Sequence, residues 1–290
     1  LWWPTCCIRW GIDILLYFAA LMKGEIQYQP ICTGAMEVVK KAASYIRERH
    51  EHRKHLNIEA KGEHNFVTEV DRQSEEILVT GLSTLLPGAG FITEEGTSSA
   101  KGERFNWVID PLDGTTNFIH GVFPFAISVG LLENGEAVAG VVYEFGLNET
   151  FHAWKGGGAW VNGTPVRVSS VKRIGQALIA TGFPYTDFRH LSEFLESIRF
   201  FMQHSHGLRR LGSAATDIAY VACGRYDGFY EYGLNPWDVA AGIILVREAG
   251  GAVSDFRGAG NPLFTEDIVC SNGHIHKEFQ EITRKIMLRQ

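Results

Sequence analysis

The chain has 290 residues, 45% apolar and 21% charged, with a formal net charge of −6. That length supplies one large domain or two intimate ones with ample core, and the composition is ordinary for a soluble globular protein. The acidic balance argues against a nucleic-acid surface. It does not exclude anionic substrates, because bound metal ions invert a local potential.

Residues 1–10 are rich in Trp and Cys, and residues 12–22 are apolar apart from Asp13. That run is too short to span a bilayer, and the cleavage-site pattern of a signal peptide is poor. Residues 1–30 are therefore read as an extension outside the fold, with Met22 as an alternative start. Cys6, Cys7, Cys32, Cys223 and Cys270 form an odd, scattered set that fits buried thiols in a reducing, cytoplasmic setting.

Thr33 can cap a helix whose apolar residues Met36, Val39, Ala43 and Ile46 keep helical spacing. The mixed-charge run 47–55 then reads as its solvated end. Residues 61–71 suggest a short hairpin. A second helix over 71–86, with Asp71 as its N-cap, stops at Pro87-Gly88. Strands follow at 91–93 and from about 105 to 110, where Pro111 is expected to stop the ladder. Strands 125–132 and 137–145 flank a hairpin signal at Glu133-Asn134-Gly135-Glu136. Further short strands flank Gly156-Gly157-Gly158, which lacks the Gly-Lys-Ser/Thr ending of a phosphate loop, and Asn162-Gly163. The second half alternates strand 177–181, helices 190–204 and 213–223, strand 227–231, helix 237–249, strands 252–255 and 268–271, and helix 274–288. The pattern suggests helices layered on two sheets. An N-terminal α+β domain would span 31–168 and a C-terminal α/β domain 169–290.

The segment Trp107-Val108-Ile109-Asp110-Pro111-Leu112-Asp113-Gly114-Thr115-Thr116-Asn117 puts two carboxylates at the end of an apolar strand, before a Gly-Thr-Thr turn. Phe91-Ile92-Thr93-Glu94-Glu95 ends another strand in a carboxylate pair, and Asp238 opens an apolar helix. Two like charges at ~4 Å repel by about 4 kcal/mol at an effective dielectric near 20. If Glu94, Asp110, Asp113 and Asp238 converge, the cluster needs protons or cations, and Mg²⁺ suits such hard oxygen ligands. Taken singly, these acids also suit turns and helix N-termini, Asp238 above all.

The stretches WVIDPLDGTTNFIH (107–120) and WDVAAGIILVREAGG (237–251), with Glu94-Glu95 upstream, resemble the two signatures of the inositol monophosphatase family of Mg²⁺-dependent, lithium-sensitive phosphatases. The resemblance runs from about residue 33 to 286. It implies an α+β fold, a layered αβαβα sandwich of the inositol monophosphatase and fructose-1,6-bisphosphatase type. It also implies two to three Mg²⁺ ions. Glu94, Asp110 and the Leu112 carbonyl would hold the first; Asp110, Asp113 and Asp238 the second; Glu94 would help a third through water. Thr115 and Asp71 would position and deprotonate the attacking water, unless they serve as a turn hydroxyl and a helix cap. Leu112, Asp113, Gly114 and Thr115 would cradle the phosphate. Gly212, Ser213, Ala214, Glu231 and Asp238 would hold the substrate hydroxyls. Lys61 matches a mobile family lysine weakly, its loop being one residue short.

These residues imply Mg²⁺-dependent hydrolysis of a small polyol or sugar monophosphate, best matched by myo-inositol monophosphate. The expected protein is a cytoplasmic homodimer with no nucleic-acid or membrane partner. Fructose-1,6-bisphosphatase, histidinol-phosphate and nucleotide 3′-phosphatase activities stay open, as does a regulatory protein on the same scaffold.

Overall fold

A computed structural model of the chain describes residues 26–53, 58–62, 65–185 and 187–289, with the backbone alone at 58–62 and 65–67. The readings for residues 1–25, Met22 among them, and for the Lys61 side chain lie outside the described residues.

Helix α1 (Tyr28–Glu51) opens at Tyr28 rather than at Thr33, so it takes in residues that the sequence reading put in the extension. Its buried residues Ile31, Cys32, Ala35, Val38, Val39, Ala42, Ala43 and Ile46 form one helical stripe. Pro30 is tolerated in the first turn, where its missing N–H would have had no partner. Thr33 caps nothing, and its hydroxyl donates to the Gln29 carbonyl at 3.0 Å. Strands β1 (Ile58–Gly62) and β2 (Asn65–Thr68) make the expected hairpin. Helix α2 (Glu69–Leu85) is capped by Thr68, not by Asp71. Asp71 is the third helical residue and accepts from the Thr68 backbone N–H at 2.8 Å, closing a capping box.

A seven-stranded sheet runs in the order β3 (Gly90–Thr93), β4 (Phe105–Asp113), β5 (Ala126–Glu133), β6 (Glu136–Glu144), β7 (Glu149–Trp154), β8 (Ala159–Val161), β9 (Thr164–Val166). Only β3 and β4 are parallel within it. Pro111 does not end β4. The strand goes on to Asp113 through a bulge, with Asp110 opposite Ser128 and Asp113 opposite Ala126. The Asn134-Gly135 and Asn162-Gly163 turns have positive φ at both positions, the primed geometry that suits strand twist. Helices α1 and α2 cover one face of this sheet.

The second sheet has the order β11 (Gly207–Arg209), β10 (Leu178–Thr181), β12 (Gly228–Tyr232), β14 (Asp267–Ser271), β13 (Ala252–Ser254). Helix α3 (Thr115–His120) is short and leaves the end of β4. Helix α4 (Leu191–His204) and helix α7 (His276–Met287) lie on the outer face of the second sheet. Helix α5 (Ala214–Ala222) and helix α6 (Pro236–Glu248) fill the space between the two sheets. The layers therefore read helix, sheet, helix, sheet, helix. Being covered on both sides, α6 is buried from Val239 through Val246, which explains its all-round apolar sequence. It seats closely because Gly130 and Gly140 are paired neighbours on β5 and β6. A Cβ at Gly130 would lie 2.8 Å from the Ala240 Cβ, and one at Gly140 2.8 Å from the Ala241 carbonyl. The triple-glycine loop is a hairpin end whose Gly156 and Gly158 N–H groups donate to the Glu248 carboxylate of α6.

Among the described residues, no helix is long and apolar enough to cross a membrane.

Candidate active site

Strands β3 and β4 run side by side in parallel, with Thr93 opposite Ile109, so Glu94, just past the end of β3, comes level with Asp110 on β4. The Glu94 N–H donates to the Ile109 carbonyl at 3.2 Å and carries the pairing one residue further. The bulge beyond Asp110 buries the Leu112 side chain and brings Asp113 round beside α5. Gly114 then turns the chain into α3 with φ of 91°. A Cβ there would approach the Gly212 carbonyl to 3.0 Å, so both φ and space call for glycine. Asp238 comes from the opposite side as the third residue of α6, accepting from the Asn235 N–H at 2.7 Å.

Glu94, Asp110, Leu112, Asp113, Gly114, Thr115 and Asp238 line one cavity of ≈ 560 Å³, which Gly212 and Ala214 close from the α5 side. Burial raises the Asp110 carboxyl well above the carboxylate range, and the charges of Glu94, Asp113 and Asp238 push it further. Asp238 is raised in the same way, by burial first and then by Asp113. Burial lifts Asp113 to about 6, although the Ser213 hydroxyl (2.6 Å) and the Ala215 N–H (2.8 Å) pull it back down.

Among the described residues, no three His, Cys, Asp or Glu side chains already converge at metal-ligating geometry. The carboxylates turn instead to nearby donors: Asp110 to the Leu112 N–H, Asp113 to Ser213 and Ala215, and Asp238 to Asn235. The Leu112 carbonyl accepts the Thr115 hydroxyl at 3.0 Å. Every donor in the set is a hard oxygen, and burial with mutual repulsion is the stress that a divalent cation relieves. The residues present fit such an ion.

Thr115, on the cavity wall, also donates to Asp71 Oδ1 at 3.0 Å. Burial raises the Asp71 carboxyl, against the lowering effect of its bonds to Thr68 and Thr115. Ser213 and Glu231 are not on the cavity wall. Ser213 caps α5 and is 1% exposed. Glu231 lies on β12 against Gly182, where an added Cβ would fall 1.9 Å from its Oε1. Burial and the nearby Asp217, Asp238 and Asp113 hold its carboxyl well above the usual range.

Several contributors escaped the sequence reading. Glu75 of α2 is fully buried and accepts from the Glu95 N–H (2.8 Å) and the Thr97 N–H (2.7 Å), pinning the turn that carries Glu94. A carboxylate inside the apolar stripe of Val70, Leu78 and Leu82 was the available signal. Asn117 donates to the carbonyls of Pro124 and Leu211, tying α3 to the loop before α5. Phe183, Tyr185, Arg210 and Trp237 complete the wall. Asp217 lies buried behind it, its Oδ1 without a partner.

An inositol-1-monophosphatase of Rhizobium meliloti is 43% identical over 232 residues, covering 79% of this chain and 87% of that protein. A Nus factor SuhB of Salmonella typhimurium is 41% identical over 249 residues, covering 86% of this chain and 93% of that one. The crystal structure of the extragenic suppressor protein suhB from Bartonella henselae superposes with a TM-score of 0.82 at 38% identity, over 86% of this chain and 96% of that chain. The family model described as inositol monophosphatase family matches residues 27–288. With the layered fold and both signature segments at one cavity, the chain belongs to the inositol monophosphatase family.

Proposed function

We propose that this cavity hydrolyses a small polyol or sugar monophosphate, myo-inositol monophosphate foremost, with two to three Mg²⁺ ions. The observation that carries the reading is the meeting of Glu94, Asp110, Asp113 and Asp238 at one cavity beside the Thr115–Asp71 pair. Glu94, Asp110, the Leu112 carbonyl, Asp113 and Asp238 would hold the ions, whose charge lowers the pKa of a water and neutralises a leaving alkoxide.

The chain itself supplies the rest. The Thr115 hydroxyl orients the attacking water. The raised carboxyl of Asp71 behind it is the better proton acceptor for being raised. The N–H groups at Gly114 and Thr115, on the cavity wall, would cradle the phosphate as an anion nest. Gly212 and Ala214, on the cavity wall at the start of α5, would offer N–H donors to the substrate hydroxyls, with Ser213 capping the helix between them. Asp238 would accept from vicinal hydroxyls at the wall, and Glu231, set back against Gly182, would have to be reached from the cavity to do the same. No covalent enzyme intermediate is needed, since water attacks in line.

The relative named inositol-1-monophosphatase supports the substrate choice. A cytoplasmic, lithium-sensitive homodimer completes the reading, with the half-exposed Val122 and Phe123 as apolar surface for a second copy. A regulatory protein on the same scaffold is the second reading, supported by relatives named Nus factor.

The test is phosphate release, with Mg²⁺ titrated, from inositol monophosphates, fructose 1,6-bisphosphate, histidinol phosphate and adenosine 3′,5′-bisphosphate. Asp110→Asn should abolish release. Turnover that survives this change sinks the carboxylate-cluster mechanism, and no release by the unaltered protein moves the weight to regulation.

A further inference from the structure

Asp110 reaches the cavity from β4 and Asp238 from α6, so their spacing depends on how that helix is seated on the sheet. Ser128 of β5 lies at the seat. It stands directly opposite Asp110 in the β4–β5 ladder, so the two side chains share the sheet face that α6 covers. Its hydroxyl is buried and donates at 3.1 Å to the carbonyl of Trp237, the residue before Asp238. A short chain of fixed links thus joins the two carboxylates: the ladder pair of Asp110 with Ser128, one hydrogen bond to Trp237, and the peptide bond to Asp238.

The rest of the seat does not fix the helix along its axis. Gly130, two residues on from Ser128 and on the same face, meets Ala240, and Gly140 meets Ala241. Such apolar contacts are non-directional. The ties from Glu248 to the Gly156 and Gly158 N–H groups lie at the far end of α6, about three turns away. A slip of α6 by one residue would move Asp238 by about 1.5 Å. Ligand distances at a metal hold to about 0.2 Å, and Mg²⁺ demands a near-ideal octahedron. The hydrogen bond from Ser128 therefore governs what the apolar seat leaves loose. Without it the Trp237 carbonyl still keeps its helical partner, since a carbonyl oxygen has two lone pairs. Losing the hydroxyl frees the helix end and strands no acceptor.

We propose that Ser128 is a positioning residue: its hydrogen bond to Trp237 sets the spacing of Asp238 from Asp110, and through it the affinity for the ion that both would hold. This rests on the proposed metal-dependent reading and adds to it a residue that lies off the cavity wall.

The test is binding of Mn²⁺ without substrate, Mn²⁺ being an octahedral stand-in for Mg²⁺ whose free form is counted by its paramagnetic resonance. Ser128→Ala, Ser128→Cys and Ile243→Val are compared with the unaltered protein, with melting temperatures and hydrogen exchange at the Ala240 and Ala241 amides alongside. Ser128→Ala should weaken the Asp238-dependent ion by about 3- to 10-fold, the worth of one hydrogen bond. Ser128→Cys, whose thiol is a weak donor, should fall between. Ile243→Val trims the buried face of the same helix away from the tie, so it should lower the melting temperature but leave Mn²⁺ affinity unchanged.

Mn²⁺ affinity unchanged in Ser128→Ala overturns the inference. So does an equal loss in Ser128→Ala and Ile243→Val, which would make the effect a general loosening of α6. If Ser128→Ala does not fold, Ser128→Cys decides on the same terms. If the unaltered protein binds no Mn²⁺, the metal-dependent reading falls. Hydrogen exchange then decides the role of Ser128 by itself: faster exchange at Ala240 and Ala241 in the Ser128 variants alone upholds the tie, and equal exchange in all the proteins ends it.

Discussion

Replacing Glu75 asks whether a residue that never reaches the cavity sets the position of one that does. Its carboxylate receives two backbone N–H groups, from Glu95 at 2.8 Å and Thr97 at 2.7 Å, on either side of Gly96. Glu75→Gln keeps the shape but offers one acceptor oxygen, so one N–H faces an amide NH₂. An unmet donor costs about 1–3 kcal/mol, and the exposure of Thr97 to water puts this case near the low end, about 1–2 kcal/mol. For a chain of this size that corresponds to a fall in Tm of roughly 2–8 °C. Glu75→Ala loses both bonds and leaves a void, so its fall should be larger. The functional consequence is separate: Glu94 loses its anchored turn, so the Mg²⁺ concentration for half-maximal turnover should rise in both variants. Thermal melting and a Mg²⁺ titration of phosphate release read the two effects. Unchanged Mg²⁺ dependence in Glu75→Ala, with the expected loss of Tm, would refute the positioning argument and leave Glu75 a packing residue.

Gly114→Ala should cost about 1–3 kcal/mol, because it forces a side chain to φ of 91° and into the Gly212 carbonyl at 3.0 Å; turnover should drop while urea denaturation stays cooperative, and a variant with ordinary activity would contradict the close approach. Gly140→Ala should shift α6 off the sheet, costing about 1–3 kcal/mol, with weakened Mg²⁺ dependence because α6 carries Asp238; calorimetry of Mg²⁺ binding checks it. Burial raises the Asp267 carboxyl to about 6, above its unfolded value near 3.9. Its folded form thus favours the proton: the stability it contributes is full below about pH 4 and lost as pH climbs through 6. With partial solvent screening the loss is about 1 kcal/mol. Asp267→Asn keeps an acceptor for the Phe256 N–H and should gain that amount over the unaltered protein at pH 7 but not at pH 4; an equal difference at both pH values would count against it.

Much of the site was legible because its carboxylates sit in contiguous, strongly patterned stretches. Asp110 and Asp113 follow an apolar strand, and Asp238 opens a helix too apolar to be a surface one. The misreadings share a cause, which is that each depended on a contact distant in sequence. Thr33 looked like a cap because the burial of Ile31 and Cys32 against the sheet is invisible locally. Cys32, for example, lies 3.5 Å from the Ala153 carbonyl of β7. Pro111 looked like a strand end because the bulge that absorbs it is defined by Ser128 and Ala126 on β5. Asp71 resembled a cap because the hydroxyl that does the capping, Thr68, stood at the end of a strand. Arg210 carried no local signal, since the rings beside it, at 183 and 185, follow β10 while Arg210 follows its parallel neighbour β11.

The seating of α6 on Gly130 and Gly140 sets a schedule for the growing polypeptide. Glu94, Asp110 and Asp113 are synthesised long before Asp238, and the strand that closes the layer over α6, β14, comes later still. Until that helix docks, three carboxylates stand at an open sheet edge with their fourth member missing. No truncated product ending before residue 238 can assemble the cluster, so incomplete chains are silent rather than partly active.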